Sequence, residues 1–383
     1  MKKFTLILAT VALLAAGCSK TEVVGPQNRK GINFAAYTAK TTKALQTDVT
    51  TANLSEFKVT AFGNGAFYFN NLTFTKSDES NVWESDTKYF WPAFHLTFYA
   101  FNTPYAYNTE EQKTGFYIAP DHQTLEVRPA AELAYQEDLV AAYAEDMTEI
   151  NATSADNTAL PLTFNHYLTQ VTVNATNENS TYQVVVDGVK IANMAWEGIY
   201  TFRTNTMTAR EGTVSSEHSM DYTATFSPKT LGSDAQEVMT GAGRGKWYLI
   251  PQSVTSWDPS TPLNQETNSA NGSHGTYLAL KVKITANSGA LKIYPATGDV
   301  SGWMAVPIPP ELAFAKGKKY TVTIHFFSAE KPGAGYVDPE AGSDLNGDGE
   351  ANDNGKKIIG GEIKFDANVN EWDDQNNNIE IYL

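Results

Sequence analysis

The chain has 383 residues, a formal net charge of −15 and one cysteine. The negative charge disfavours nucleic acid and anionic lipid headgroups as partners, and a single cysteine excludes an internal disulfide. The length is sufficient for two hydrophobic cores.

The first residues predict export and lipid attachment. The chain starts with Lys2 and Lys3, continues with an apolar run and three small residues, and then reaches Cys18. This order is typical of a secretory signal, and a cysteine directly after it resembles the lipobox of bacterial lipoproteins, in which that cysteine carries acyl groups. We therefore expect a signal peptide at 1–17, a lipid on Cys18 and a polar tether over 18–30. The alternative is a buried thiol in a plain signal peptide or in a short core helix.

Alternation of apolar and polar residues dominates the rest of the chain and favours β-strands. Asp187-Gly188, between two runs rich in valine, predicts a hairpin turn. The composition of 130–147 is compatible with a helical turn. The predicted strands are 57–62, 95–101, 171–174, 184–186, 189–191, 278–284, 319–326 and 379–383.

Many short strands separated by turn residues predict an all-β fold of sandwiches or barrels. The segment 151–158 is small and polar, and we place the domain boundary there. The prediction is an N-terminal domain over 31–156 and a C-terminal domain over 157–383, both of ordinary domain size.

A series of short landmarks resembles one family when taken in order. The landmarks are Gly31-Ile32-Asn33-Phe34, Leu54-Ser55-Glu56-Phe57, Tyr89-Phe90-Trp91-Pro92, Gln136-Glu137-Asp138-Leu139, Phe164-Asn165-His166, Ile250-Pro251-Gln252, Gly317-Lys318-Lys319-Tyr320 and Asn370-Glu371-Trp372. Their order resembles the fimbrillins of Bacteroidales, the subunits of type V pili, over nearly the whole mature chain.

The resemblance implies two tandem β-sandwich domains similar to transthyretin, with Greek-key-type connections. It also implies a lipoprotein precursor at the cell outer membrane, from which a trypsin-like, Arg- or Lys-directed protease removes the N-terminal piece with the first strand. The groove left behind accepts a strand from another fimbrial subunit, so the partners are further subunits in a homo- or heteropolymer and a host or bacterial surface ligand. Stalk, anchor and tip roles stay open.

Four basic residues are candidate cleavage sites. They are Arg29, Lys30, Lys40 and Lys43. The family usually has arginine near Thr-x-Ala, and Lys43 occupies that place here, so we predict an exposed site at Lys43. The alternative for all four is ordinary solvated charge.

The end of the chain forms a candidate donor strand. Ile379, Ile381 and Leu383 fall on one face of an extended segment. Such a strand is either donated to another subunit or paired within its own sheet, and period-two patterning does not distinguish the two.

One acidic loop matches the front half of a calcium loop. The usual twelfth-position carboxylate is missing, because Gly355 stands there, and Asp353 is the nearest substitute. The alternative is a polar hairpin loop rich in turn residues. The candidate calcium ligands are Asp344, Asn346, Asp348 and Glu350, and no other cofactor is expected.

No catalytic motif was found, so the chain is predicted not to be an enzyme; its histidines lack metal-site spacing. The second functional hypothesis is a monomeric glycan-binding lipoprotein of the outer membrane, which requires exposed aromatic rings. Trp257 is a candidate contact residue for that role, whereas Phe90 and Trp91 are expected in the core.

Overall fold

A computed structural model of the chain describes residues 30–38, 48–50, 52–77, 82–102, 116–118, 123–152, 159–210, 219–242, 245–260, 275–286, 289–341, 345, 353–372 and 379–382. Regular structure in these ranges is almost entirely β, which confirms the predicted class. The exceptions include one short helix, α1 (Glu149–Ala152), and a 3-10 turn at Leu133–Tyr135, where a helical turn was expected. No helix in these ranges is long and apolar enough to cross a membrane.

The strands are numbered along the chain. They are β1 (Phe34–Thr38), β2 (Glu56–Gly63), β3 (Ala66–Lys76), β4 (Trp83–Glu84), β5 (Leu96–Phe101), β6 (Phe116–Ile118), β7 (Thr124–Val127), β8 (Val140–Met147), β9 (Leu160–His166), β10 (Thr169–Asn177), β11 (Tyr182–Ala195), β12 (Gly198–Thr201), β13 (Thr206–Ala209), β14 (Ser219–Thr230), β15 (Gln236–Glu237), β16 (Trp247–Leu249), β17 (Tyr277–Ala286), β18 (Leu291–Tyr294), β19 (Gly302–Pro307), β20 (Lys318–Phe326), β21 (Tyr336–Val337), β22 (Lys364–Glu371) and β23 (Ile379–Tyr382).

The first part of the chain forms a closed barrel in the order β1-β4-β3-β2-β5-β8-β9. The barrel closes because β1 pairs with β4 on one side and with β9 on the other. Its core is rich in aromatic rings, and Trp83 and Trp91 are among its buried members. The core position of Trp91 confirms the sequence-based expectation.

The second part forms two sheets packed face to face. One sheet has the order β15-β10-β20-β22-β23 with β16 also on β10, and the other has the order β14-β11-β17-β19-β21 with β18 also on β17. The alternation predicted for 319–326 is present, since Tyr320, Val322, Ile324 and Phe326 are all buried. Apolar residues of both sheets share one large core.

A fourth sheet joins the two parts. Its order is β13-β12-β7-β6, so strands from before and after residue 156 pair with each other. A separate apolar cluster lies at this junction and takes Tyr99 from the barrel, Leu125 from the joining sheet and Tyr248 from the sandwich.

The predicted boundary after residue 156 needs a correction at one strand. β9 was assigned to the C-terminal domain, but it pairs with β1 and β8 of the barrel. The reason is that its apolar residues Leu160, Leu162 and Phe164 complete the barrel core. The division into two domains itself stays a prediction.

The predicted hairpin turn at Asp187-Gly188 is wrong. These residues lie inside the continuous strand β11, where the register shifts between Val186 and Gly188 against the neighbouring strands β14 and β17. A β-bulge explains the pattern, because it adds one residue to a strand without ending it. A Cβ on Gly188 would lie 3.1 Å from the Lys281 Cβ, so a small residue suits the bulge.

Candidate functional site

The strand β1 is the first element of the candidate site. It runs parallel to β9 through five residue pairs, from Phe34 opposite Leu160 to Thr38 opposite Phe164, and meets β4 through one pair, Phe34 opposite Trp83. Just before it, the Ile32 amide donates to the Tyr89 carbonyl at 2.8 Å. A strand held mainly by one neighbour is the seam of the barrel.

The inward side of β1 is fully buried. Ile32, Phe34 and Ala36 are at most 2 % exposed and belong to the barrel core. The ring of Phe34 packs edge-on against Phe74 and Phe98, with centroids 4.7 and 5.3 Å away. Removal of β1 would expose this apolar stripe and the backbone of β9, which is unfavourable in water.

Asp48 is the first residue described after β1, and its carboxylate is fully buried. Its Oδ1 accepts hydrogen bonds from Lys246 Nζ at 2.7 Å, Gln170 Nε2 at 2.9 Å and the Tyr248 hydroxyl at 3.1 Å. Its Oδ2 accepts one from Lys319 Nζ at 2.8 Å. We call these five residues the Asp48 junction.

The register of the sandwich explains why the junction residues meet. Gln170 on β10 lies directly opposite Tyr248 on β16 and opposite Lys319 on β20, so the three side chains form a row across adjacent strands. Lys246 immediately precedes β16 and is only 1 % exposed. Lys319 of the row and the neighbouring Lys246 together supply two positive charges to one buried carboxylate.

Charge balance fixes the protonation of Asp48. Burial by itself raises the pKa of the Asp48 carboxyl, but the ammonium groups of Lys319 and Lys246 and their hydrogen bonds outweigh burial and hold that pKa below its ordinary value. Asp48 is therefore ionised at neutral pH and anchors the chain that follows β1 to the sandwich.

A second buried contact lies beside the junction. Asp138 accepts hydrogen bonds from His166 Nδ1 at 2.9 Å and from the Val49 amide at 2.6 Å. The His166 ring stacks on Trp372 with centroids 4.4 Å apart, and Lys319 lies 5.5 Å from the same indole. Residues of four of the sequence landmarks therefore meet here, and His166 lies packed at the end of β9.

The candidate cleavage sites fall almost entirely outside the described residues. Lys30 is described and exposed, whereas Arg29, Lys40 and Lys43 are not described. The described neighbours show that the tract connects β1 in the barrel to Asp48 in the junction. The predicted cut at Lys43 stays a prediction, as does the lipid on Cys18.

The candidate donor strand pairs within its own chain. The backbone of β23 is antiparallel to β22, with Ile379 opposite Val369 and Ile381 opposite Ala367. This agrees with the self-paired alternative for the uncut chain and leaves donation as a prediction. Leu383 lies outside the described residues.

The candidate calcium ligands Asp344, Asn346, Asp348 and Glu350 also lie outside the described residues. Asp353, the proposed substitute ligand, is described and fully buried. Its carboxylate accepts the Leu345 amide at 2.5 Å and lies 2.9 Å from Lys356 Nζ. In the part of the chain that the structure describes, no group of three or more His, Cys, Asp or Glu is arranged to hold a metal ion.

Trp257 is not an exposed contact residue. It is 3 % exposed and packs against Tyr277 and Tyr336, with centroids 5.6 and 5.7 Å away. Trp257 and Ala279 of β17 belong to one buried apolar cluster, so the segment that carries Trp257 covers this face of the strand.

Sequence reasoning missed Asp48 and Lys246, and it gave Lys319 no role beyond its place in a landmark and a predicted strand. The only local signal was the tripeptide Lys-Trp-Tyr at 246–248, a charge directly before two aromatic residues. The partners lie 122 to 271 residues apart in sequence, so no local pattern could have joined them.

Comparisons with known proteins give one family and one recurring fold. The family model described as "Fimbrillin-like" matches residues 21–335. Among curated proteins, none matches the chain significantly.

Several solved structures are similar over most of the chain. A fimbrial protein from Bacteroides vulgatus ATCC 8482 is 13 % identical with a TM-score of 0.54, covering 90 % of this chain and 100 % of its own. A proposed cell adhesion protein from Bacteroides uniformis ATCC 8492 is 13 % identical with a TM-score of 0.47, covering 90 % and 99 %. At this identity the first likeness shows a shared fold.

Proposed function

The chain belongs to the fimbrillin-like family, and on that premise we propose that it is a structural or adhesive subunit of a cell-surface fimbria. It is exported as a lipoprotein precursor anchored through Cys18, and proteolysis at Lys43 releases it. The cut separates β1 from the barrel, and a strand of another subunit takes its place.

The observation that carries this proposal is the placement of the tract around Lys43. Upstream of it, β1 closes the barrel through one five-pair ladder and one single pair. Downstream, Asp48 is held by four hydrogen bonds to the sandwich. A cut between them frees β1 from the chain while residue 48 stays anchored, so the body keeps its fold and only the seam opens.

The alternative role in glycan binding receives less support. It required a cluster of exposed aromatic rings, but Trp83, Trp91 and Trp257 are all buried. The exposed large apolar residues of the described ranges come from different segments of the chain, and three of them are aromatic: Tyr37, Phe67, Tyr135, Ile150, Leu291 and Val300.

Limited digestion of the exported full chain with a trypsin-like protease tests the proposed site. We expect a stable core whose first residue is Ala44, by N-terminal sequencing. The Lys43→Gln variant should resist this cut, and Lys40→Gln should serve as the matched control that is still cut at Lys43. Fimbriae from the producing bacterium in which the mature chain starts at Cys18 would contradict the proposal.

Size analysis of the cut protein mixed with fimbriae-forming subunits of the same bacterium separates the two roles. A fimbrial subunit enters ladders of higher mass, whereas a glycan-binding lipoprotein stays monomeric under the same conditions.

A further inference from the structure

Three consecutive residues of β1, one large and two small, are buried in the seam of the barrel. Phe34 is 0 % exposed, Ala35 is 6 % exposed and Ala36 is 2 % exposed. Ala35 and Ala36 lie opposite Pro161 and Leu162 of β9 in the parallel ladder. One position therefore holds a buried large ring, and the next two hold buried methyl groups.

The large position is shaped by aromatic neighbours. The Phe34 ring has edge-on or tilted ring neighbours at Phe74, Phe98 and Phe57, with centroids 4.7, 5.3 and 6.1 Å away. A smaller side chain leaves part of this space empty, and the lining loses contacts it cannot replace. The seam thus favours an aromatic ring at this position.

The positions of Ala35 and Ala36 favour small side chains, whereas the position of Phe34 favours a large one. Both alanines are buried although they lie on opposite faces of the strand, as alternation requires. A longer side chain at either place displaces packed neighbours, and a charged one additionally loses its hydration. The seam thus excludes large or charged residues at these two positions.

The tail residues 379–383 do not match this order when any three consecutive residues among them occupy the three positions. When Ile379 and Ile381 occupy the Phe34 and Ala36 positions, in either order, Glu380 occupies the Ala35 position between them. This holds for both directions of the strand. A shift by two residues places Tyr382 at the Ala35 position instead. A shift by one residue places Glu380 or Tyr382 at the Ala36 position or Glu380 at the Phe34 position.

We propose that the β1 seam selects a donor strand with an aromatic residue followed by two small residues, and that this strand comes from a different protein chain rather than from the tail of a second copy. This inference rests on the proposed replacement of β1 and adds the identity class of the replacing strand. The protein is then one component of a heteropolymer, joined through this seam to a subunit of another sequence.

Peptide exchange on the protease-cut full chain tests the proposal. Fluorescent peptides are added to the cut protein, and binding is followed by anisotropy. The peptides are residues 30–38, the same peptide with Phe34→Ile and Ala36→Ile, and the tail residues 377–383. We expect the 30–38 peptide to bind at least tenfold more tightly than the other two. A 30–38 peptide with Tyr37→Ala is the matched control and should bind within threefold, because Tyr37 is 51 % exposed.

A substituted tail peptide tests whether the order of large and small residues, rather than another property of the tail such as its solubility, determines binding. The substitutions Ile379→Phe, Glu380→Ala and Ile381→Ala give the tail the required order, and the reversed order Ile379→Ala, Glu380→Ala and Ile381→Phe covers an antiparallel donor. We expect one of these two peptides to bind at least tenfold more tightly than the natural tail peptide.

The outcomes separate this inference from the proposed function. Two outcomes would overturn the proposed selectivity of the seam for a strand of another protein while leaving strand replacement itself intact. One is equal binding of the natural tail peptide and the 30–38 peptide, and the other is the formation of long polymers by the cut protein alone. Failure of every peptide, including 30–38 itself, overturns strand replacement and the inference together.

Discussion

At the scale of single residues, the attachment of the segment after β1 depends on the carboxylate of Asp48, whose hydrogen-bond partners are all distant in sequence. Asp48 comes from the segment after β1, and its four hydrogen-bond donors come from β10, β16 with its preceding residue, and β20. Lys246 is almost fully buried, so the ion pair lies where an unpaired charge is costly. The junction therefore fixes the first described residue after the predicted cut.

Replacement of this carboxylate should be costly. We expect Asp48→Asn to lower the free energy of unfolding by about 3–5 kcal/mol, because it leaves the Lys246 ammonium buried without its counter-charge. Urea denaturation measures the change. The control is Asp86→Asn at an exposed position of the barrel, which should change stability by about 0.5 kcal/mol or less; similar losses in both variants would contradict the anchoring role.

The same carboxylate should make stability sensitive to acid. The pKa of Asp48 is lowered in the folded protein because the Lys319 and Lys246 charges outweigh burial, while an unfolded aspartate titrates near about 3.9. The stabilisation is therefore complete above about pH 4 and is lost as pH falls through the lowered pKa. We expect the difference in unfolding free energy between the natural protein and Asp48→Asn to shrink below about pH 4; a constant difference from pH 3 to 7 would rule this out.

At the scale of elements, β1 is a short strand with a large share of the barrel core. Its five residues include three that are at most 6 % exposed, and the ring of its first residue, Phe34, packs against Phe57, Phe74 and Phe98. The strand is covalently tied through the tract around Lys43 to the Asp48 junction. Its packing, rather than its length, keeps the barrel closed.

Truncation of the β1 ring should open the seam without any protease. We expect Phe34→Ala to destabilise the protein by about 3–5 kcal/mol, as for other buried phenylalanines. The neighbouring control Tyr37→Ala, at a half-exposed site, should cost about 1 kcal/mol or less. Thermal unfolding of both variants provides the measurement, and equal shifts would show that the inward stripe does not hold the strand.

At the scale of the whole molecule, the barrel and the sandwich share structure. The separate sheet β13-β12-β7-β6 pairs strands from the first part of the chain with strands from the second. Trp372 packs against His166 of the barrel and Tyr248 of the sandwich. An apolar cluster continues this contact. We therefore expect the two parts to unfold together.

Calorimetry tests this coupling. The natural protein should show one cooperative heat transition, and Trp372→Ala should separate it into two, because the substitution removes the ring that both parts contact. The matched control is Trp303→Ala on the outer face of the sandwich, next to Lys190, which should lower the transition temperature without dividing the transition. Two transitions in the natural protein would contradict the coupling.

The sequence by itself determined the all-β class and the position of most long strands, because alternation is local and a strand shows it wherever it pairs. It also determined the family, through the order of short landmarks. It erred at Asp187-Gly188, where a bulge and a turn use the same residues, and at Trp257, since burial depends on what covers a face.

Only the tertiary structure decided the rest. It assigned β9 to the barrel, brought Asp48 to Lys246 and Lys319 across hundreds of residues, and gave the seam its order of one large and two small positions. These features depend on cross-strand register and on packing between distant segments, which leave no periodic signal along the chain.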